Sequence, residues 1–219
     1  MTTMLMNSMV IMMEKEQFGV SPSHWAGLSE EERELYRIIR PMRTCNYSVT
    51  VELHNVKREL ARQAEQAELD GGVFNLNPDF QRGHVWSLEK QIGYVENLLR
   101  GTAPIEIKFN CAKFHDFNAE ATGMHGYDMV CVDGLQRLTA VVDFMDGKFK
   151  LFDGRYDETS LLKTAFSPRR KHLLFQIYDV KDYGDLIQFY LDLNTGGVVH
   201  EESELNRVRK LQQDYQSSK

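Results

Sequence analysis

The chain is predicted to adopt an α+β fold, a small mixed sheet with packed helices and helical additions at both ends. Three observations predict it. Five short runs rich in β-branched and aromatic residues, at 47–53, 105–109, 127–132, 149–152 and 173–180, have the length of strands. Between and around them lie longer segments whose apolar residues recur at helical spacing. No repeat, low-complexity tract or Pro- or Ser-rich linker divides the 219 residues, so one domain is the economical reading.

Taken in order, the elements follow from local chemistry. Met1 to Met13 holds six of the ten methionines but has no basic flank or small-residue cleavage site, and it is too short to span a bilayer. It reads as a flexible or packing arm, and no membrane association is expected. Ser29 with Glu32 fits a capping box for a helix ending at Arg40, before Pro41; Leu35, Ile38 and Ile39 form its narrow apolar face. After the strand at 47–53, Leu53, Val56, Leu60, Ala64 and Ala67 mark a helix stopped by Gly71-Gly72. An irregular segment, Asn77 to Trp86, interleaves Phe80 and Trp86 with Asp, Gln, Arg and His. Ser87 caps the next helix, with Leu88, Ile92, Val95 and Leu99 on one side and Gly101 at its stop. A long hairpin loop at 110–126 leads to the central strand. Beyond the central helix come strands at 149–152 and 173–180, a helix at 183–193, an Asn-Thr-Gly-Gly turn at 194–197 and a charged helix from about Glu201 to Tyr215.

The centre of this plan is the stretch from Tyr127 to Asp146, where a valine-rich strand turns directly into a helix whose apolar positions are Leu135, Leu138, Val142 and Met145. Gly134 stands at the turn, where the lack of a Cβ permits unusual backbone angles and close approach of another group. The helix start offers unpaired N–H groups and a partial positive charge, and Arg137 in its first turn has a planar fork suited to phosphate oxygens. Such a corner can hold a phosphate. Arg137 is expected on the face opposite Leu135, Leu138 and Val142, as a surface residue.

Composition limits the choices around that corner. With 42% hydrophobic residues the chain can build a sizeable core, burying roughly 70% of its unfolded surface. The net charge of −6 gives no overall basic field for nucleic acid, so any DNA contact requires a local patch. The patches on offer, Arg169-Arg170-Lys171-His172 and Arg207, Arg209 and Lys210, lie among many acids and read as solvated faces. Cys45, Cys111 and Cys131 are odd in number and lack metal or redox spacing, which fits a reducing, cytoplasmic setting. A P-loop is absent. His115, Asp116 and His125 are conceivable metal ligands but have no fixed spacing, and they read as exposed loop residues.

Three segments together resemble a known family. They are Asp79-Phe80-Gln81-Arg82-Gly83-His84-Val85-Trp86, the Leu-Leu-Arg-Gly-Thr-Ala-Pro junction at 98–104, and Val132-Asp133-Gly134-Leu135-Gln136-Arg137-Leu138-Thr139. They are similar to the domain-of-unknown-function family with an Asp-Gly-Gln-Gln-Arg signature, within the ParB/sulfiredoxin-like superfamily. That family includes the N-terminal half of GmrSD-type restriction systems, which act on modified phage DNA. The likeness is strongest from about Phe74 to Gly147, with support from the segment 189–197. It departs in Leu135, which replaces the first Gln of the signature, and in lacking a counterpart of the second, nuclease-like domain of longer relatives.

The resemblance implies a ParB-like nucleotide-binding core at 44–153, preceded by an arm and helix at 1–43 and followed by a mainly helical extension of the same domain at 154–219. It implies a nucleoside-triphosphate-dependent phosphoryl-transfer enzyme in DNA processing, modification or restriction, using ATP or another triphosphate with Mg²⁺. By carry-over, Gly134, Gln136, Arg137 and Gln81 bind the nucleotide, Arg82 neutralises charge on the transferred group, and Asp133 holds the metal or orients the acceptor. Glu106 is a base by analogy with ParB-like kinases. Transfer to water, to a DNA phosphodiester or to a hydroxyl would make an NTPase, a nuclease or a kinase, and the sequence leaves these open. The alternative class is a non-catalytic module that binds nucleotide or DNA and switches a partner protein through its terminal helix.

Overall fold

The computed structural model describes residues 20, 22–81, 83, 85–195 and 202–218. The methionine-rich run at 1–13, Arg82, His84 and the glycines at 196 and 197 lie outside these residues. Two helices come first, α1 (Pro22–Gly27) and α2 (Glu30–Ile39). Ser29 and Glu32 form the complete capping box of α2, and Arg40 ends it in the left-handed conformation. Its narrow apolar face is left largely open: Leu35, Ile38 and Ile39 are 48%, 68% and 65% exposed, and α2 contains no buried residue.

Strand β1 (Tyr47–Glu52) runs through a short 3₁₀ turn into α3 (Val56–Leu69). Gly72 then lets the chain pass against the backbone of Tyr127, where a Cβ would stand 2.5 Å from the carbonyl carbon. That close passage sets the two-residue strand β2 (Phe74–Asn75), which periodicity did not mark. Helix α4 (Leu88–Arg100) begins with the Ser87 hydroxyl accepting from the Lys90 amide and ends at Gly101, φ +83°. Next come β3 (Glu106–Asn110), β4 (Met129–Asp133), α5 (Leu135–Met145) and the single turn α6 (Glu158–Leu161). The chain closes with β5 (His172–Tyr178), α7 (Tyr183–Thr195) and α8 (Glu202–Ser217).

The strands form one five-stranded mixed sheet in the order β1-β5-β3-β4-β2. β5 lies antiparallel to β1 and parallel to β3, β3 is antiparallel to β4, and β4 is parallel to β2. An inner strand thus comes from beyond residue 153, so the segment 44–153 does not contain a continuous sheet. The stretch at 149–152 is not a strand. Phe152 and Asp153 adopt φ +51° and +59°, which folds the chain back so that Leu151 and Tyr156 make only an isolated bridge.

Alternation along the strands sends Val51, Ile107, Phe109, Leu173, Phe175 and Ile177 to a core shared with Val95 and Leu98 of α4 and Leu138, Val141 and Phe144 of α5. Each large side chain fully buried there contributes about 1.5–3 kcal/mol. A second cluster joins Val132 and Tyr178 to Phe80, to Leu186, Ile187 and Tyr190 of α7, and to Val208 of α8. No helix among the described residues is long and apolar enough to cross a membrane.

Candidate functional site

The turn between β4 and α5 has the shape its sequence implies, for a partly different reason. Gly134 adopts φ +102° as the N-cap of α5, where it supplies no side-chain cap of its own. A Cβ at Gly134 would lie 2.7 Å from Ile107 Cδ1, 3.1 Å from Ile107 Cα and 3.2 Å from the Glu106 carbonyl oxygen. The group that approaches the glycine closely is therefore β3 itself.

The register between β3 and β4 shifts here. Lys108 pairs with Asp133 while its neighbour Phe109 pairs with Cys131, which leaves Val132 as the extra residue of a bulge. Strict alternation would put Asp133 on the same side as Met129 and Cys131, in the core. The bulge turns it instead toward the polar positions of β3. There Asp133 Oδ2 accepts from Arg137 Nη2 at 2.6 Å and faces Lys108 Nζ at 3.5 Å. The Lys108 and Arg137 side chains are each 18% exposed and that of Asp133 30%. Arg137 is not the surface residue the helical wheel implied, because the α5 start is overlain by neighbouring elements. Its Nε is buried and makes no hydrogen bond.

The segment 77–86 is fastened over this corner from several directions. Gln81 Nε2 donates to the Cys131 carbonyl at 2.6 Å. Gln136 Oε1 accepts from the amides of Val85 and Trp86, at 2.9 and 3.1 Å, while its Nε2 donates to the Gly83 carbonyl at 2.9 Å. Both glutamines thus tie the segment to the corner through their side-chain amides. Phe80 is fully buried, its ring 5.2 Å from that of Tyr190. Tyr183 donates its hydroxyl to Asp79. From α8, Arg207 donates to the carbonyls of Asp79 and Phe80, at 2.7 and 3.2 Å, so this arginine holds the fold together rather than lining a nucleic-acid face. Trp86 stacks against Tyr94 of α4, with centroids 5.5 Å apart.

Glu106 stands at the start of β3, its Oε2 turned back to accept from the Ile105 amide at 3.1 Å. Burial pushes the Tyr178 phenol up to about 12, and Asp133 and Glu106 are among the nearby negative charges that reinforce the shift. Among the described residues the corner thus gathers Glu106, Lys108, Asp133 and Arg137, two cations and two carboxylates. Lys108 was missed from sequence. The usable signal was the alternation of Glu106, Lys108 and Asn110 with Ile107 and Phe109, which marks a polar strand face.

The donor set does not fit a resident divalent metal. Among the described residues no three His, Cys, Asp or Glu side chains lie close enough to share an ion, and the one oxygen of Asp133 that meets cations already meets two. His115 instead contacts the Asn46 carbonyl and His125 faces Asp128. Cys131 is fully buried, and burial, reinforced by the Asp133 charge, pushes its thiol up to about 12. In the folded protein at about pH 8 it should resist a thiol-titrating disulfide reagent and become reactive only after unfolding in guanidinium. Rapid native labelling of Cys131, mapped by peptide mass spectrometry, would contradict that burial. No family model, curated protein or solved structure matches this chain.

Proposed function

We propose that the corner at Gly134 binds the phosphates of a nucleoside triphosphate, in a fold of the ParB/sulfiredoxin-like kind, and that the protein is a nucleotide-dependent phosphoryl-transfer enzyme acting in DNA processing. One observation carries the reading: the buried Nε of Arg137, in the first turn of α5, lacks a partner. Buried polar groups are almost always paired, so an unpaired guanidinium nitrogen at a helix start suits an anionic ligand. Arg137 and the first-turn amides of α5 hold the phosphates in this reading, and the segment 77–86 shields them from water. The nucleotide supplies an activated phosphoryl group, and the chain supplies orientation and charge. A metal ion would have to arrive with the nucleotide, since Asp133 is already committed to Lys108 and Arg137.

Substitution of Arg137 tests the reading. Arg137→Ala should weaken ATP binding by about 1.5–3 kcal/mol, roughly ten- to a hundred-fold or somewhat more. It should also cost about 1–3 kcal/mol of stability, between an exposed and a buried ion pair, because it strips Asp133 of its closest partner. Arg137→Lys should recover part of the affinity but not the two-point fork. Calorimetric titration below the melting range of each variant gives the comparison, and equal affinities for all three would end the phosphate assignment.

A second reading, a nucleotide switch acting through a partner protein, draws support from Arg207, which wires the segment over the corner to the terminal helix α8. Turnover of labelled nucleotide with and without DNA separates the two. Binding without release of phosphate or transfer of label favours the switch.

A further inference from the structure

We propose that Lys108, Asp133 and Arg137 form a two-cation phosphate clamp with a built-in competitor: the Asp133 carboxylate holds the place between the cations that a ligand phosphate takes. The proposal deepens the nucleotide reading above and rests on it. Both cations converge on one atom, Asp133 Oδ2, at 2.6 Å from Arg137 Nη2 and 3.5 Å from Lys108 Nζ. Two mostly buried cations thus share one carboxylate, while Glu106, the other carboxylate of the corner, accepts from the Ile105 amide.

The guanidinium is also half used. Its Nη2 donates to Asp133 while the buried Nε donates to nothing. A carboxylate tethered four residues before the arginine reaches one edge atom of the fork, whereas a free phosphate can accept from both. The bulge at Val132 is what delivers Asp133 to this position, since regular pairing would have left it in the core. A polyphosphate carries several charges against the single charge of Asp133, so it displaces the carboxylate from both cations without any covalent step.

The sign of one substitution separates this from a metal-holding or acceptor-orienting Asp133. Asp133→Asn removes the competitor's negative charge and leaves both cations in place, so it should tighten binding. Lys108→Gln should weaken it and Lys108→Arg should preserve it. The experiment titrates sodium tripolyphosphate and ATP, both without divalent metal, into the full chain and these three variants by calorimetry, after melting curves establish that each is folded. Expected are a gain of about ten-fold or more for Asp133→Asn with both ligands, a loss of about ten-fold or more for Lys108→Gln, and a change within about three-fold for Lys108→Arg.

Unchanged or weaker binding by folded Asp133→Asn, with wild-type binding intact, overturns the clamp and leaves the nucleotide site standing. Failure of tripolyphosphate and ATP to bind any of the four proteins overturns both. If Asp133→Asn does not fold, Lys108→Gln decides, and wild-type affinity in that variant overturns the clamp.

Discussion

Gly134→Ala should lower the melting temperature by roughly 5–20 °C, the equivalent of about 2–6 kcal/mol in a chain of this size. Two independent costs add. At φ +102° a residue with a Cβ is strained by about 1–3 kcal/mol. The new methyl also meets β3, 2.7 Å from Ile107 Cδ1 and 3.1 Å from Ile107 Cα. The isoleucine tip can rotate away, but the Cα belongs to an inner strand of the sheet and cannot, so about 1–3 kcal/mol of overpacking remains. Pairing Gly134→Ala with Ile107→Val relieves only the tip contact, so most of the cost should persist in the double variant. A Gly134→Ala protein that melts with wild type would mean that the turn does not pack as described.

Phe80→Ala should cost about 3–5 kcal/mol, since the ring is fully buried between the segment 77–86 and helix α7. Its effect should be local as well as global. With the anchor gone, the segment keeps only polar ties from Gln81, Gln136, Tyr183 and Arg207, and those exchange readily with water. Amide exchange at Val85 and Trp86, the two N–H groups held by Gln136, should quicken well beyond that of the β3–β5 ladder. Val85→Ala, at an exposed position in the same segment, should change stability by no more than about 0.5 kcal/mol. Equal costs for the two substitutions would show that Phe80 is no anchor.

The features read correctly from residues were those decided within a few positions of themselves. The Ser29–Glu32 box, the Ser87 cap, the Gly101 stop and the strand-to-helix turn at Gly134 all depend on chemistry within one helical turn. Their neighbours in sequence are their partners in space. Where local pattern failed, a local geometry without a pattern was responsible, as at Phe152 and Asp153, whose positive φ values break an apparent strand. The apolar face of α2 is present but largely exposed: amphipathic spacing states that a helix has a side to cover, not that another element covers it.

Composition, periodicity and capping thus determined, before any coordinates, that this chain is α+β and that its Asp-Gly-Leu-Gln-Arg stretch joins a strand to a helix. What each residue of that stretch does was decided only by tertiary structure. A one-residue bulge turns Asp133 out of the core and onto Lys108, which spacing along the chain cannot reveal because the extra residue is defined against the partner strand. Gln136 serves Val85, 51 positions away, Gln81 serves Cys131 at 50, and Arg207 serves Asp79 at 128. A side chain's polarity announces that it needs a partner; which partner it meets follows from how the strands are ordered and how the helices pack on them.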